Sequence, residues 1–354
     1  MKKRITTLLL LLAVPFTSLL ACTSNDKSVS DTTAKVSKKP AEENQTLTSV
    51  TLNEVAHSIF YAPMYVAIEK EYFKDEGIDL HLQTGFGADK TMTAVLSGTA
   101  DIGFMGSEAS IYTYNEGASD YVVNFAQLTQ RAGNFLVSKD NIKDFSWENL
   151  KGKRIIGGRK GGMPEMVFEY ILKQNGMDPA VDLTIDQNID FGSTAAAFSE
   201  DKSGYDFTVE FEPGATTLEQ QGKGYVVASL GTDSGYVPYT AFSAKKSYIS
   251  KNTTVIQSFT NALQKGMNYV ASHTPEEIAR VIAPQFEETT LDTITTIVSR
   301  YYEQDTWKTD LIFQKDSFEL LQDILEEAGE LDSRAPYHDL VTTIYAEKAT
   351  QTAD

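Results

Sequence analysis

From Val50 onward, short runs of β-branched and aromatic residues alternate with helical periods closed by glycine, and this punctuation occurs twice in one order. In the first half Val50 to Glu54 reads as a strand, Pro63 stands at a helix start, Tyr65, Ile68 and Tyr72 share a face, and Gly77 is the stop. A strand from Asp79 follows, then a helix marked by Met92, Val95 and Leu96 and closed by Gly98. The strand Asp101 to Met105 comes next, with Ser107 capping a helix to Gly117. The second half repeats the grammar: strand Arg154 to Ile156, Pro164 at a helix start, Phe168, Ile171 and Leu172 on one face, and Gly176 as the stop. A strand at Leu183 to Asp186, a short helix at Thr194 to Phe198, the strand Phe207 to Glu210 and a helix ending at Gly222 complete it. Tyr-Val-Val then restarts both halves, at Tyr121 and at Tyr225. Agreement in the order of so many features predicts a duplicated α/β design, two lobes each built on a mostly parallel sheet flanked by helices.

Open parallel sheets bind ligands beyond the carboxyl ends of their strands. Those ends are His57 to Pro63 and Met105 to Glu108 in the first lobe, and Gly157 to Pro164 and Glu210 to Gly214 in the second, so four loops should converge on one cleft. The stretch Gly157-Gly158-Arg159-Lys160-Gly161-Gly162-Met163-Pro164 has neither the GK[ST] of a P-loop nor GxGxxG, which excludes the two common nucleotide cradles. It reads as a cleft wall whose N–H groups, at Gly158, Gly161 and Gly162 above all, point inward.

The remaining candidates follow from the same placement. Gly106, Ser107 and Glu108 close a strand and open a helix, where the helix dipole favours a carboxylate whether or not it meets a ligand. Glu210 and Glu212 flank Phe211, and period two sends both to one side; one of them is expected to reach the cleft, with a pair of solvated carboxylates as the alternative. Arg159 and Lys160 either hold an anion or stay solvated; Arg131 lies near the lobe crossing or in an internal ion pair. Phe60, Tyr61, Tyr236 and Tyr239 fall on cleft or hinge segments where rings can sandwich a flat ligand, with lobe core as the alternative, the favoured one for Phe60. His57 beside Ser58 makes no triad, and four histidines with one cysteine form no metal-ligand spacing, so neither a catalytic group, a metal nor a cofactor is expected.

The termini carry separate information. Lys2-Lys3-Arg4, an apolar core from Leu8 to Val14 and Leu19-Leu20-Ala21-Cys22 have the layout of an export signal, too short to span a membrane. That ending resembles the bacterial lipoprotein signal, which implies removal of residues 1–21 and lipid on Cys22. Residues 22–47 are polar and read as a disordered tether. The net charge of −18 argues against nucleic acid and against an anionic membrane surface as partners. After Tyr239 to Ser243, a strand returning to the first lobe, the tail is helical. Thr274, Pro275 and Glu277 give it a capping box. Lobe 1 is therefore assigned residues 48–138 and 239–354, and lobe 2 residues 139–238.

Phe60-Tyr61-Ala62-Pro63-Met64-Tyr65-Val66-Ala67, followed by Glu69 to Ile78, resembles the opening of ABC-transporter binding proteins for nitrate, taurine, alkanesulfonates and thiamine pyrimidine precursors. Leu96 to Gly103, Leu150 to Arg154, and Phe211-Glu212-Pro213 before Gly222-Lys223-Gly224 stand in that family's order, over roughly residues 48 to 270. The resemblance implies a two-lobed periplasmic-binding-protein-like fold with crossing hinge strands. It implies an extracytoplasmic protein that hands an unaltered small molecule to permease subunits, expected here as a monomer held by the lipid on Cys22. Fungal thiamine-pyrimidine synthases resemble the family too, but their cysteine-rich motif is absent, which argues against an enzyme. Several carboxylates beside tyrosine rings suit a flat, amine-bearing heterocycle; a sulfonate, taurine or nitrate would want N–H donors and arginine without opposing acids.

Overall fold

The computed structural model describes residues 47–190 and 192–352. The expected export signal, Cys22 and nearly all of the expected tether lie outside the described residues. Residues 45–354 form one compact unit, and it contains two five-stranded sheets. The first runs β2-β1-β3-β10-β4, from β1 (Thr48–Glu54), β2 (Ile78–Thr84), β3 (Ile102–Met105), β4 (Val122–Thr129) and β10 (Thr240–Lys245). The second runs β7-β6-β8-β5-β9, from β5 (Phe135–Ser138), β6 (Arg154–Ile156), β7 (Thr184–Asp186), β8 (Phe207–Glu210) and β9 (Tyr225–Ser229).

The two orders are the same topology. In each sheet three parallel strands are joined by one strand from the other half of the chain, antiparallel to its neighbours: β10 between β3 and β4, and β5 between β8 and β9. The chain therefore exchanges a strand in both directions, crossing at residues 130–134 and again between β9 and β10. The lobe boundary read from sequence, after Ser138, is corrected by this pairing, because all of β5 belongs to the second sheet. Phe-Leu-Val-Ser is apolar enough for either core, and only register distinguishes them. In the first sheet the returning strand is locked by Phe242 on Phe104, paired residues whose rings stack 4.1 Å apart.

Local chemistry explains the helix starts and stops. Pro63 lies in the first turn of the helix Ala62–Glu69, where its missing N–H costs nothing. That helix stops earlier than the Gly77 read from sequence. Glu71 takes a left-handed conformation at φ 57°, and a separate turn, Tyr72–Asp75, precedes Gly77. The capping box forms as read: the Thr274 N–H donates to Glu277 Oε2 at 2.9 Å and the Glu277 N–H to Thr274 Oγ1 at 3.3 Å. Gly266 lets the helix Thr253–Ser272 ride directly on Ala62–Glu69, since a Cβ there would lie 2.2 Å from the Pro63 carbonyl oxygen.

The helical tail does more than fill the first lobe. Its helix Lys315–Glu327 packs against Met163–Gln174 of the second lobe, and Leu291–Glu303 carries Arg300 to Glu212 and Glu219.

Candidate functional site

The carboxyl ends of the parallel strands of both sheets face one cavity of about 360 Å³. Of the residues named from sequence, Tyr61, Gly106, Glu108, Gly158, Arg159, Gly162, Glu210 and Glu212 line it. The two crossing segments supply its floor through Asn134 and Tyr239.

Three acids occupy this space, and their surroundings set them apart. Glu108 follows β3 and is 2 % exposed, and its Oε2 has no hydrogen-bond partner. Burial pushes its carboxyl up to about 7, against the downward pull of its own backbone amide, Arg159 and the Met163 amide. The side chain folds back over Gly106, where a Cβ would sit 2.1 Å from Oε2, so glycine at 106 makes room for the carboxyl. Glu210, the last residue of β8, is also pushed up to about 7 by burial, while Thr208 Oγ1 (2.7 Å) and Thr194 Oγ1 (3.0 Å) donate to it. Glu212 is committed elsewhere. It accepts from the Thr216 N–H at 2.9 Å, Thr216 Oγ1 at 2.8 Å and Arg300 Nη1 at 2.9 Å, and so it caps the helix Gly214–Gln220 and pairs with a tail helix.

Five sequence candidates sit outside the cavity. Phe60 is fully buried in an aromatic cluster, its ring centroid 5.1 to 5.8 Å from those of Tyr61, Phe211, Tyr239 and Tyr301. Ser107 spends its hydroxyl on the Pro238 carbonyl at 2.7 Å, and so it does not cap its helix. Arg131 lies over the Tyr236 ring, 4.2 Å from its centroid, and donates to the Gly231 carbonyl. Tyr236 itself is half exposed and donates to Asp305. Gly161 is buried away from the cavity: its carbonyl accepts from Tyr112 Oη at 3.1 Å, and its N–H donates to Glu165 Oε2 at 3.2 Å.

The glycine-rich loop is correspondingly less of an anion cradle than its sequence promised. Gly157 donates to the Asp186 carbonyl and Gly162 to the Arg159 carbonyl, so with Gly161 three of its N–H groups are satisfied inside the protein. Arg159 meets Asp89 of the first lobe at 3.9 Å, and Lys160 meets Glu330 at 3.2 Å.

Sequence reasoning missed two lining residues that carry chemistry. Asn134 is fully buried, accepts from the Tyr239 hydroxyl through Oδ1, and keeps an unpartnered Nδ2. Phe86 sits in the β2 loop between Gly85 and Gly87; that glycine pair was the available signal. The cleft-side segment His57-Ser58 also ties parts of the fold together. His57 donates to Glu54 Oε1 and to the Gln285 carbonyl, both at 2.8 Å, and two acceptors on one ring favour the imidazolium; the Glu54 bond raises its pKa. Ser58 Oγ donates across the cleft to the Glu212 carbonyl at 2.7 Å. Among the described residues no group of three or more His, Cys, Asp or Glu stands close enough to hold a metal ion, and no helix is long and apolar enough to cross a membrane.

Comparison with known proteins places this architecture. YtlA of Bacillus subtilis (strain 168), a protein named for an inferred binding role, is 46 % identical over 309 residues, 87 % of this chain and 92 % of its own. The riboflavin-binding protein RibY of Chloroflexus aurantiacus is 28 % identical over 75 % of this chain and 74 % of its own. Among solved structures, the alkanesulfonate-binding protein SsuA of Xanthomonas axonopodis pv. citri, bound to MOPS, superposes with a TM-score of 0.68. At 15 % identity it covers 83 % of this chain and 98 % of its own, and it shares the fold. The family model described as NMT1/THI5 like matches residues 59–278, and with so much of the chain inside that match the protein belongs to the NMT1/THI5-like family.

Proposed function

We propose that this protein is the extracytoplasmic solute-binding component of an ABC importer, and that it captures a small, planar, amine-bearing heterocycle of the thiamine-pyrimidine kind between its two lobes. The observation that carries the reading is Glu108 Oε2, a buried acceptor without a partner on the cavity wall. Leaving such a group unpaired costs about 1–3 kcal/mol, and a ligand N–H removes that cost. Glu210 offers a second acceptor and Tyr61 a ring for an apolar face. A ligand touching both lobes stabilises the closed form, which is the form a permease reads. Lipid on Cys22 holds the chain, as a monomer, at the outer face of the cell membrane.

A sulfonate or nitrate is the second reading, because SsuA carries the same fold. Two buried acids argue against it, as does a cavity arginine already beside Asp89. The RibY relative favours a flavin as another member of the heterocycle class. Thermal-shift titration with 4-aminopyrimidine, riboflavin, taurine and nitrate tests this, because a ligand that binds only the folded state raises the melting temperature with its concentration. Heterocycles are expected to stabilise; stabilisation by taurine alone would refute the reading.

A further inference from the structure

Phe86 is the least economical residue in the cavity wall. It is 55 % exposed, so much of its ring faces water. Its backbone is left-handed at φ 57°, a region that bulky residues rarely enter and that Gly or Asn would tolerate. The Gly85 N–H donates to the Glu54 carbonyl at 2.8 Å, and the Gly87 N–H to the Val55 carbonyl at 3.0 Å, so the residues on either side of Phe86 are both pinned to the end of β1. Gly85 and Gly87 also suit only glycine: a Cβ at the first would come within 2.5 Å of Thr91 Oγ1 and 2.6 Å of Asn53 Oδ1, and the second has φ +145°, a conformation that residues with a side chain rarely adopt. The segment is a bracket held at both ends with one side chain on it, and that side chain is an aromatic ring lining the cavity.

Three residues after Phe86, Asp89 meets Arg159 of the second lobe at 3.9 Å. The bracket therefore stands beside a contact that spans the cleft. Strained backbone that the surroundings over-determine gathers at ligand clamps. An exposed ring there gains nothing for the free protein. It gains when something flat covers it.

We propose that Phe86 is a stacking residue of the ligand site, and that it selects aromatic heterocycles over tetrahedral or small trigonal anions. The assignment rests on the heterocycle reading above and adds to it the face of the ligand, whereas Glu108 reads the edge. A flat ring on Phe86 buries apolar surface and adds the preference of offset aromatic pairs. A sulfonate group offers no such face.

The test uses Phe86→Asn, which suits a left-handed backbone and deletes the ring, and Phe86→Tyr, which keeps it. Binding of 4-aminopyrimidine and of riboflavin is measured by calorimetry, and the melting temperature is taken without ligand. Phe86→Asn should lose about tenfold in affinity for whichever probe binds the wild type, with the ligand-free melting temperature held or raised; Phe86→Tyr should stay within about threefold. Unchanged affinity in Phe86→Asn overturns the assignment while leaving the importer reading standing. So does a fall in ligand-free melting temperature that Phe86→Tyr restores without any change in affinity. A wild type that ignores both heterocycles and responds to taurine overturns the functional reading, and Phe86 with it.

Discussion

Arg300→Met isolates the strongest structural claim about the cavity wall. Arg300 Nη1 lies 2.9 Å from Glu212 Oε1, whose side chain is fully buried, while the arginine keeps 26 % of its side-chain surface. Its Nη2 reaches Glu219 at 2.5 Å, in a pair that solvent reaches from both sides. Removing one partner of a buried ion pair costs about 3–5 kcal/mol, because a carboxylate is left in low dielectric without its counter-charge. Glu212 would keep two hydrogen bonds from Thr216, which argues for the lower end. The solvent-accessible Glu219 contact adds only about 0.5 kcal/mol. A loss of about 3 kcal/mol should therefore appear in urea denaturation of the purified protein, and at about 2–4 °C per kcal/mol as a drop of roughly 6–12 °C in melting temperature. A loss under about 1 kcal/mol, the value of an exposed pair, would refute the argument. Glu212→Gln separates the alternatives further: a weakened fold with unchanged ligand affinity is expected, whereas the reverse would return Glu212 to the ligand set.

Glu108 and Glu210 make stability fall as pH rises. Their folded values of about 7 lie above the ordinary 4.5, so between those limits the folded state holds protons that the unfolded state releases. Each is worth up to about 3 kcal/mol, the loss growing from about pH 4.5 and complete above about pH 7. His57, raised by its Glu54 bond, also loses stabilisation as pH rises, so the contribution of Glu108 is read as a difference. The melting temperature of Glu108→Gln relative to wild type should climb between pH 4.5 and 7.5, and a flat difference would contradict the buried carboxyl. Cys22→Ala should release the protein from the membrane fraction of cells, and undiminished membrane retention would exclude the lipid anchor.

The duplicated topology was legible because its signals are local. Proline in a first turn and strand-length apolar runs are fixed by backbone sterics, and Pro63 and the Thr274 capping box behave as their neighbours in sequence dictate. The exchange of β5 was not legible. A buried four-residue strand carries no mark of which sheet it joins, and the choice rests on register with β8 and β9, far away in sequence. The stop after Ala62–Glu69 was missed for a similar reason. The chain turns at Glu71 through a left-handed residue that is not glycine, and nothing in Lys70-Glu71 announces it. Asn134 was invisible because its place in the cavity depends on Tyr239, a partner more than a hundred residues away.

Glu210 and Glu212 show where pattern reading reaches its limit. Period two put both carboxylates on one side, and both do line the same cavity. Period two is a property of extended backbone, however, and β8 ends at Glu210. Glu210 still obeys the strand and projects beside Thr208 and Thr194, its hydroxyl donors. Beyond it the chain turns into the helix Gly214–Gln220, and Glu212 meets the free N–H of Thr216, which any helix start must satisfy. Arg300 then arrives from the tail and donates to the same carboxylate. One acid thus keeps only two neutral hydroxyl donors, with burial pushing its carboxyl up to about 7, while its neighbour two residues on is consumed by the fold. Sequence spacing ranked them as equals; the supply of donors around each decides which one a ligand can use.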